Sequence, residues 1–276
     1  MATRLMRAGY DVLVWNRSPD ACDELAAGGA EVLSSPAEVT DAADITLAML
    51  ADPQACAEVA LGRDGAVKGL RAGKGYIDSS TVDVTTMQRV EHAVRGQGAA
   101  FLEAPVSGSK APAEQGKLIF MAAGDLGLYQ SAVPLFQAMG KMHVYLGEVG
   151  SATKMKLVVN MIMGSMMVAF AEGLALSQAA GLNAEDLLRV VNESAIASPM
   201  LALKGPQMIR KTFDPAFPLK HQQKDMRLAL KMGATDGQYL PVAAAANEAY
   251  LRAKLHGQGD LDFSAVIKAL HPGDLP

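Results

Sequence analysis

The chain has 276 residues, half of them hydrophobic and a fifth charged. That is enough for one large or two ordinary domains at roughly 150 residues each, and it excludes a disordered chain or a coiled coil. A formal net charge of −4 leaves no overall basic field for nucleic acid or an anionic membrane, and the two cysteines, Cys22 and Cys56, exclude a disulfide scaffold and an all-cysteine metal site.

Residues 1–8 read as a helix closed by Gly9, and residues 10–15 as a buried strand. A short strand over 30–33, a helix over 36–43 and a strand over 44–50 follow. Asp52-Pro53 then opens a helix, with Asp as N-cap and Pro at the first helical position. Residues 75–78, 100–103, 118–123 and 143–146 read as strands, with helices over 82–95 and 126–139. Such alternation predicts a parallel sheet with helical crossovers. After Gly150 the pattern turns helical: 152–180 with Gly181 as C′ residue, then 185–193, 223–232, 242–255 and 263–270. The fold class expected is an α/β domain of Rossmann type over 1–150, followed by an all-α domain over 151–276. No signal peptide is visible. The apolar run 157–171 is interrupted by Asn160 and Ser165 and is shorter than the about 20 residues of a spanning helix. It reads as a buried helix between domains, and no membrane partner is expected.

The strand over 10–15 and the following Asn16-Arg17-Ser18 look like the second strand of a dinucleotide-binding βαβ unit and the group that meets the adenosine ribose. An acidic residue there favours the 2′-hydroxyl of NAD, whereas a guanidinium pairs bidentately with the 2′-phosphate of NADP. Arg17 points to NADP, although taken alone it reads equally as an exposed arginine in a turn. The first strand of such a unit and its G-x-G-x-x-G turn are absent.

Three later motifs decide the matter. Glu103-Ala-Pro-Val-Ser-Gly-Ser109 resembles the D-A-P-V-S-G-G substrate signature of the β-hydroxyacid dehydrogenases, the 3-hydroxyisobutyrate dehydrogenase-like family. Gly147-Glu-Val-Gly-Ser-Ala-Thr-Lys-Met-Lys156-Leu-Val-Val-Asn160 resembles its catalytic signature, G-x-x-G-x-G-x-x-x-K-x-x-x-N. Phe217-Pro-Leu-Lys-His-Gln-Gln-Lys224-Asp225 resembles its C-terminal cofactor-contacting segment. Further stretches, Val14-Trp-Asn-Arg17 and Pro241-Val-Ala-Ala-Ala-Ala-Asn-Glu248 among them, are similar to the glyoxylate/succinic semialdehyde reductase branch. Ala152 replaces the catalytic signature's third glycine, and Glu103 and Ser109 depart from the substrate signature. The resemblance also implies a strand and glycine turn ahead of Met1, so the chain reads as N-terminally truncated. In the strand order 3-2-1-4-5-6 the absent strand is central. Residues 10–15 and 45–50 are then expected to flank a gap, in a destabilised N-terminal domain.

The resemblance assigns roles. Lys156 is the catalytic residue, because aldehyde reduction needs a proton delivered to oxygen, and an ammonium both polarises the carbonyl and donates that proton. Asn160, one helical turn on and on the same face, orients the substrate or Lys156. Ser107, Gly108 and Ser109 bind the substrate carboxylate. Asn16, Arg17, Ser18 and Thr81 contact the cofactor NADPH/NADP, as does Lys224, which Asp225 orients. Tyr250-Leu-Arg-Ala-Lys254 matches a Y-x-x-x-K motif but lies in the helical half, where chance explains it. The five histidines show no metal-ligand spacing, so no metal is expected. The methionines over 155–167 read as core or subunit interface.

The function expected is NADPH-dependent reduction of small carboxylated aldehydes, glyoxylate to glycolate and succinic semialdehyde to 4-hydroxybutyrate. Two alternatives stand beside it. One is a non-catalytic homologue or inactive fragment of the same fold, against which the presence of Lys156 speaks. The other is an NAD-dependent 3-hydroxyisobutyrate-type dehydrogenase, against which Arg17 speaks. A homodimer or homotetramer formed through the helical half is implied, with no nucleic acid partner. The compartment is cytoplasmic, or a plastid or mitochondrion if a transit peptide precedes the chain.

Overall fold

The computed structural model describes residues 1–270; His271 and the end of the expected 151–276 domain lie outside the described residues. The chain divides into two compact units between Lys156 and Leu157. In chain order the first unit contains α1 (Ala2–Arg7), β1 (Leu13–Val14), α2 (Asp23–Ala27), β2 (Glu31–Val32), α3 (Pro36–Ala42) and β3 (Ile45–Ala48). It continues with α4 (Pro53–Leu61), β4 (Gly75–Asp78), α5 (Val84–Gly96), β5 (Ala100–Glu103), β6 (Val106–Ser107) and α6 (Lys110–Gln115). It then adds β7 (Leu118–Gly124), α7 (Leu126–Met139) and β8 (Gly140–Tyr145). Helix α8 (Ser151–Ala179) begins in this unit and runs on into the second, which adds α9 (Ala184–Glu193), α10 (Pro199–Arg210), α11 (Leu219–Thr235), α12 (Pro241–Ala253) and a 3₁₀ segment, Phe263–Ala269.

Local chemistry starts the helices. Ser35, Asp52, Asp83 and Asp125 accept hydrogen bonds from the backbone N–H groups of Glu38, Ala55, Thr86 and Leu128. Each thereby satisfies a donor that a helix N-terminus otherwise leaves without a partner. Pro36 and Pro53 occupy first helical positions, where the missing N–H costs nothing.

The main sheet has the order β3-β4-β5-β7-β6, with β8 also on β7. Strands β3, β4 and β5 are parallel, with Ile77 opposite Leu102, while β7 is antiparallel to both β5 and β6. The expected parallel sheet is found over β3, β4 and β5, and β7 makes the sheet as a whole a mixed one. The connection after β5 is spent on β6 and the short α6, and the chain re-enters the sheet in the opposite sense. Alternate residues of β4 and β5 feed two separate cores: Tyr76 and Phe101 one, Ile77 and Leu102 the other. That is the pattern of strands covered on both faces.

The expected strand over 10–15 shrinks to two residues. Strands β1 and β2 form a two-stranded parallel sheet of their own. A cavity of about 820 Å³ is lined by Leu13, Val14 and Trp15 on one side and by Ile45, Leu47 and Ala48 on the other. Elements β6, α6 and α10 carry no clear periodic signal; α10 holds Gly205 and Pro206 in its interior, residues that read as breakers.

In the second unit α8 supplies Met167, Phe170 and Leu174 to a core completed by Leu201 and Met208 of α10, Met226 of α11 and Tyr250 of α12. Gly164 lets α11 approach: a Cβ there would overlap Gln222 and stand 2.7 Å from Met226 Sδ. Among the described residues α8 alone is long and apolar enough to cross a membrane, and 44% of its most apolar window is buried within the chain. Its methionines divide between the readings: Met167 is core, while Met155 and Met166 are exposed.

Candidate active site

In the first unit the predicted cofactor residues lie in loops that leave the carboxyl ends of strands, where open α/β sheets bind ligands. Asn16, Arg17 and Ser18 follow β1 and are exposed. Thr81 follows β4 in a loop tied to its neighbour: Leu50 N–H, just past β3, donates to Ser80 Oγ at 2.8 Å. Ser80 N–H in turn donates to Asp78 Oδ1 at 2.8 Å. Asp78 is fully buried and accepts from Cys56 Sγ at 3.2 Å. Burial pushes its carboxyl above the usual range, with the bonds from Ser80 and Cys56 pulling the other way. The Cys56 thiol is pushed up in turn by burial and by Asp78, so it is a proton donor to that carboxylate rather than a nucleophile.

Arg17 is exposed, and a guanidinium is the side chain that pairs bidentately with a phosphate. No G-x-G-x-x-G turn occurs in the chain, so no residue is assigned to the pyrophosphate.

Ser107 ends β6 at a half-buried position, and Gly108 follows with φ +123°. A Cβ at Gly108 would stand 2.9 Å from Leu118 Cδ2 and 3.0 Å from Pro112 Cβ, so both backbone conformation and space demand glycine. Ser109 occupies the N-cap position of α6 without a side-chain capping bond.

Glu103, noted in the sequence only as a departure from an aspartate, has a larger part. Its Oε1 accepts from the backbone N–H groups of Gly150, Ala152 and Thr153 at 2.8, 2.8 and 3.2 Å, and its Oε2 accepts from Thr153 Oγ1 at 2.6 Å. It is fully buried. Burial raises its carboxyl above the ordinary range, and these bonds pull it back only in part. Lys156, 7% exposed, stands three residues beyond Thr153 on α8, and Asn160, 3% exposed, one turn further.

In the second unit Asn160 Nδ2 donates to Asp225 Oδ2 at 2.6 Å. The other Asp225 oxygen lies 3.1 Å from Lys224 Nζ. Gln222 Nε2 donates to the Asn160 carbonyl at 2.9 Å. Three predicted residues are thus brought together, and Asp225, expected only to orient Lys224, also holds Asn160. Gln222 was missed; its position one turn ahead of Met226 on an amphipathic helix reads as ordinary core. The Y-x-x-x-K match dissolves: Tyr250 is buried with its hydroxyl donating to the Gly164 carbonyl, while Lys254 Nζ donates to Gln223 Oε1. The ring of His221 stacks on Phe217. Among the described residues no group of three or more His, Cys, Asp or Glu is placed to hold a metal ion.

A profile for the NAD binding domain of 6-phosphogluconate dehydrogenase matches residues 1–147. A profile for the NAD-binding domain of NADP-dependent 3-hydroxyisobutyrate dehydrogenase matches residues 150–270. The chain is 56% identical over 270 residues to glyoxylate/succinic semialdehyde reductase 2, chloroplastic, of Arabidopsis thaliana, covering 98% of this chain and 75% of that protein. It is 52% identical to glyoxylate/succinic semialdehyde reductase 1 of the same plant, covering 98% and 93%. A crystal structure of 3-hydroxyisobutyrate dehydrogenase from Salmonella typhimurium shares the fold with TM-score 0.89 at 26% identity, covering 97% of this chain and 94% of that one. The chain belongs to the 3-hydroxyisobutyrate dehydrogenase-like family of NAD(P)-dependent oxidoreductases, with the glyoxylate/succinic semialdehyde reductases among its relatives.

Proposed function

We propose that this chain reduces small carboxylated aldehydes with NADPH: glyoxylate to glycolate and succinic semialdehyde to 4-hydroxybutyrate. The observation that carries the reading is the pair Lys156 and Asn160, both buried on one face of α8, with the Asn160 amide held by Asp225. NADPH, when bound, supplies the hydride. The Lys156 ammonium polarises the aldehyde oxygen, donates one proton to it as the carbonyl carbon is reduced, and is left as the neutral amine. Only the amide nitrogen of Asn160 can donate to a carboxylate, so its bond to Asp225 sets the amide's orientation and makes the oxygen its acceptor end. Ser107 and the glycine-permitted backbone at Gly108 receive the substrate carboxylate, with Ser109 beside them. Arg17, Asn16, Ser18 and Thr81 hold the cofactor, joined by Lys224, whose charge Asp225 offsets.

Residues 1–150 act in this reading as the NADP-binding domain, and residues 151–276 as the substrate and oligomerisation domain. A homodimer or homotetramer buries the apolar stripe that Val158, Ile162, Met166 and Leu176 expose along α8; light scattering coupled to size exclusion checks it. No nucleic acid or membrane partner is part of the reading. The name of the chloroplastic relative supports an organelle as the compartment, with the cytoplasm as the alternative.

The test is NADPH and NADH oxidation with glyoxylate, on this chain, on one extended ahead of Met1 by an apolar strand and glycine turn, and on each with Lys156→Ala. NADPH-dependent turnover lost in the lysine variant is expected. A Lys156→Ala protein that keeps its turnover sinks the role given to the lysine, and a preference for NADH sinks that given to Arg17.

A further inference from the structure

Helices α4, α5 and α7 each begin at an aspartate of their own, Asp52, Asp83 and Asp125, one residue ahead of the helix. Helix α8 follows Gly150, which has no side chain to cap with. Ser151 N–H turns back to the Glu148 carbonyl, but the N–H groups of Gly150, Ala152 and Thr153 are met by one carboxylate from 47 to 50 residues away, that of Glu103. That carboxylate cannot drift. Glu103 ends β5, an interior strand, opposite Asp78 of β4 on one edge and Ala123 of β7 on the other. The next residue's N–H, that of Ala104, donates to the Asp78 carbonyl at 2.7 Å. A local cap moves with its helix, whereas this one ties the helix to the sheet.

We infer that Glu103 is a positioning residue for the reduction: its buried carboxylate clamps the first turn of α8 to the sheet and so sets where Lys156 stands. The bonds to Gly150 and Ala152 fix the height of the helix start. The two bonds to Thr153 fix its rotation, because backbone and side chain of one residue are held at once. Lys156 lies three residues on, over the same face, so its place follows from that rotation. Only an ionised carboxylate offers two acceptor oxygens for these four donors, and its charge suits a helix N-terminus. The inference rests on the catalytic reading of Lys156.

The experiment measures reductive methylation of individual lysines by mass spectrometry, together with amide exchange over residues 150–156, in Glu103→Ala, Glu103→Gln and Thr153→Val. Lys204, 4% exposed in the second unit, reports global unfolding. The expected result is Lys156 methylated about tenfold faster in Glu103→Ala, with Lys204 unchanged, and smaller increases in the other two. In steady-state assays kcat with glyoxylate falls by up to about 100-fold for a displaced catalytic group, while KM and NADPH affinity hold. Where Glu103→Ala exposes Lys204 as well, the two milder variants decide. Unchanged Lys156 labelling in the folded variants overturns the inference, and this readout needs no turnover. An inactive Lys156→Ala beside a Glu103→Ala protein of undiminished kcat overturns the positioning role alone. Undiminished turnover in Lys156→Ala removes the catalytic reading and the positioning role with it.

Discussion

Residues 10–50 and 75–145 of the first unit are built from the same vocabulary of short strands and helices, yet they hold together by different means. All four residues of β4 and three of the four in β5 are buried, and Phe101, Phe120 and Phe136 are at most 1% exposed. In β1 and β2 no residue is buried. The buried hydrophobics of the earlier stretch are the small Cys22, Ala30 and Val39. Each large side chain taken fully out of water contributes roughly 1.5–3 kcal/mol, so the later stretch has the greater part of the stabilisation. The difference does not lie in strand propensity, for Val12-Leu-Val-Trp15 is as apolar as any strand here. It lies in neighbours: β1 pairs along one edge only, with Glu31 N–H on the Val12 carbonyl and Leu33 N–H on that of Val14, and its surroundings include the cavity shared with β3.

The largest expected effect that sharpens this contrast is a pair of truncations. Phe120→Ala removes a ring stacked on Phe136 at 4.6 Å between centroids and is expected to cost about 3–5 kcal/mol. Val14→Ala, half-buried beside a cavity, is expected to cost under about 1 kcal/mol. Urea unfolding followed by circular dichroism reads both, and equal costs would erase the distinction. Amide exchange gives the next effect. Strands β4, β5 and β7 should exchange only on global unfolding, and Leu13, Val14, Glu31 and Val32 through local opening. Extending the chain ahead of Met1 with an apolar strand should slow exchange in β1 and β3 and leave β5 alone. Slowing everywhere, or nowhere, breaks the assignment of the weakness to that cavity.

The pH dependence comes third. Burial lifts the Asp78 carboxyl above its ordinary range in the native state, so the folded chain keeps a proton that the unfolded chain has released. Its contribution to stability is full below about pH 4, the unfolded aspartate value, and is lost as pH rises through the lifted one. The urea midpoint should carry that decline toward neutral pH, and Asp78→Asn should flatten it. A slope unaltered by the substitution would place the titration elsewhere, with Glu103 the next group to test. The smallest effect is a control. Ser35→Ala in the weaker stretch and Asp125→Ala in the stronger each remove one N-cap bond and should each cost about 1 kcal/mol. Capping is local, so it should not register the contrast between the stretches.

What could be read from the sequence was local or carried by motif. Asp52-Pro53 starts a helix because the capping oxygen and the donor it meets lie within three residues. The segments holding Lys156 with Asn160 and Lys224 with Asp225 were recognisable because each sits in one short run of chain. Other features were decided only by tertiary structure, because their partners are far apart in the chain. Asp225 joins Asn160 across 65 residues and Glu103 reaches the start of α8 across about 50; an isolated acid in the sequence carries no sign of which donors will surround it. The two-residue β1, the antiparallel turn of the sheet at β7 and the helix α10 running through Gly205 and Pro206 belong to the same class. In each, neighbours decide the outcome against local propensity, because burial and backbone pairing are satisfied only in the assembled fold.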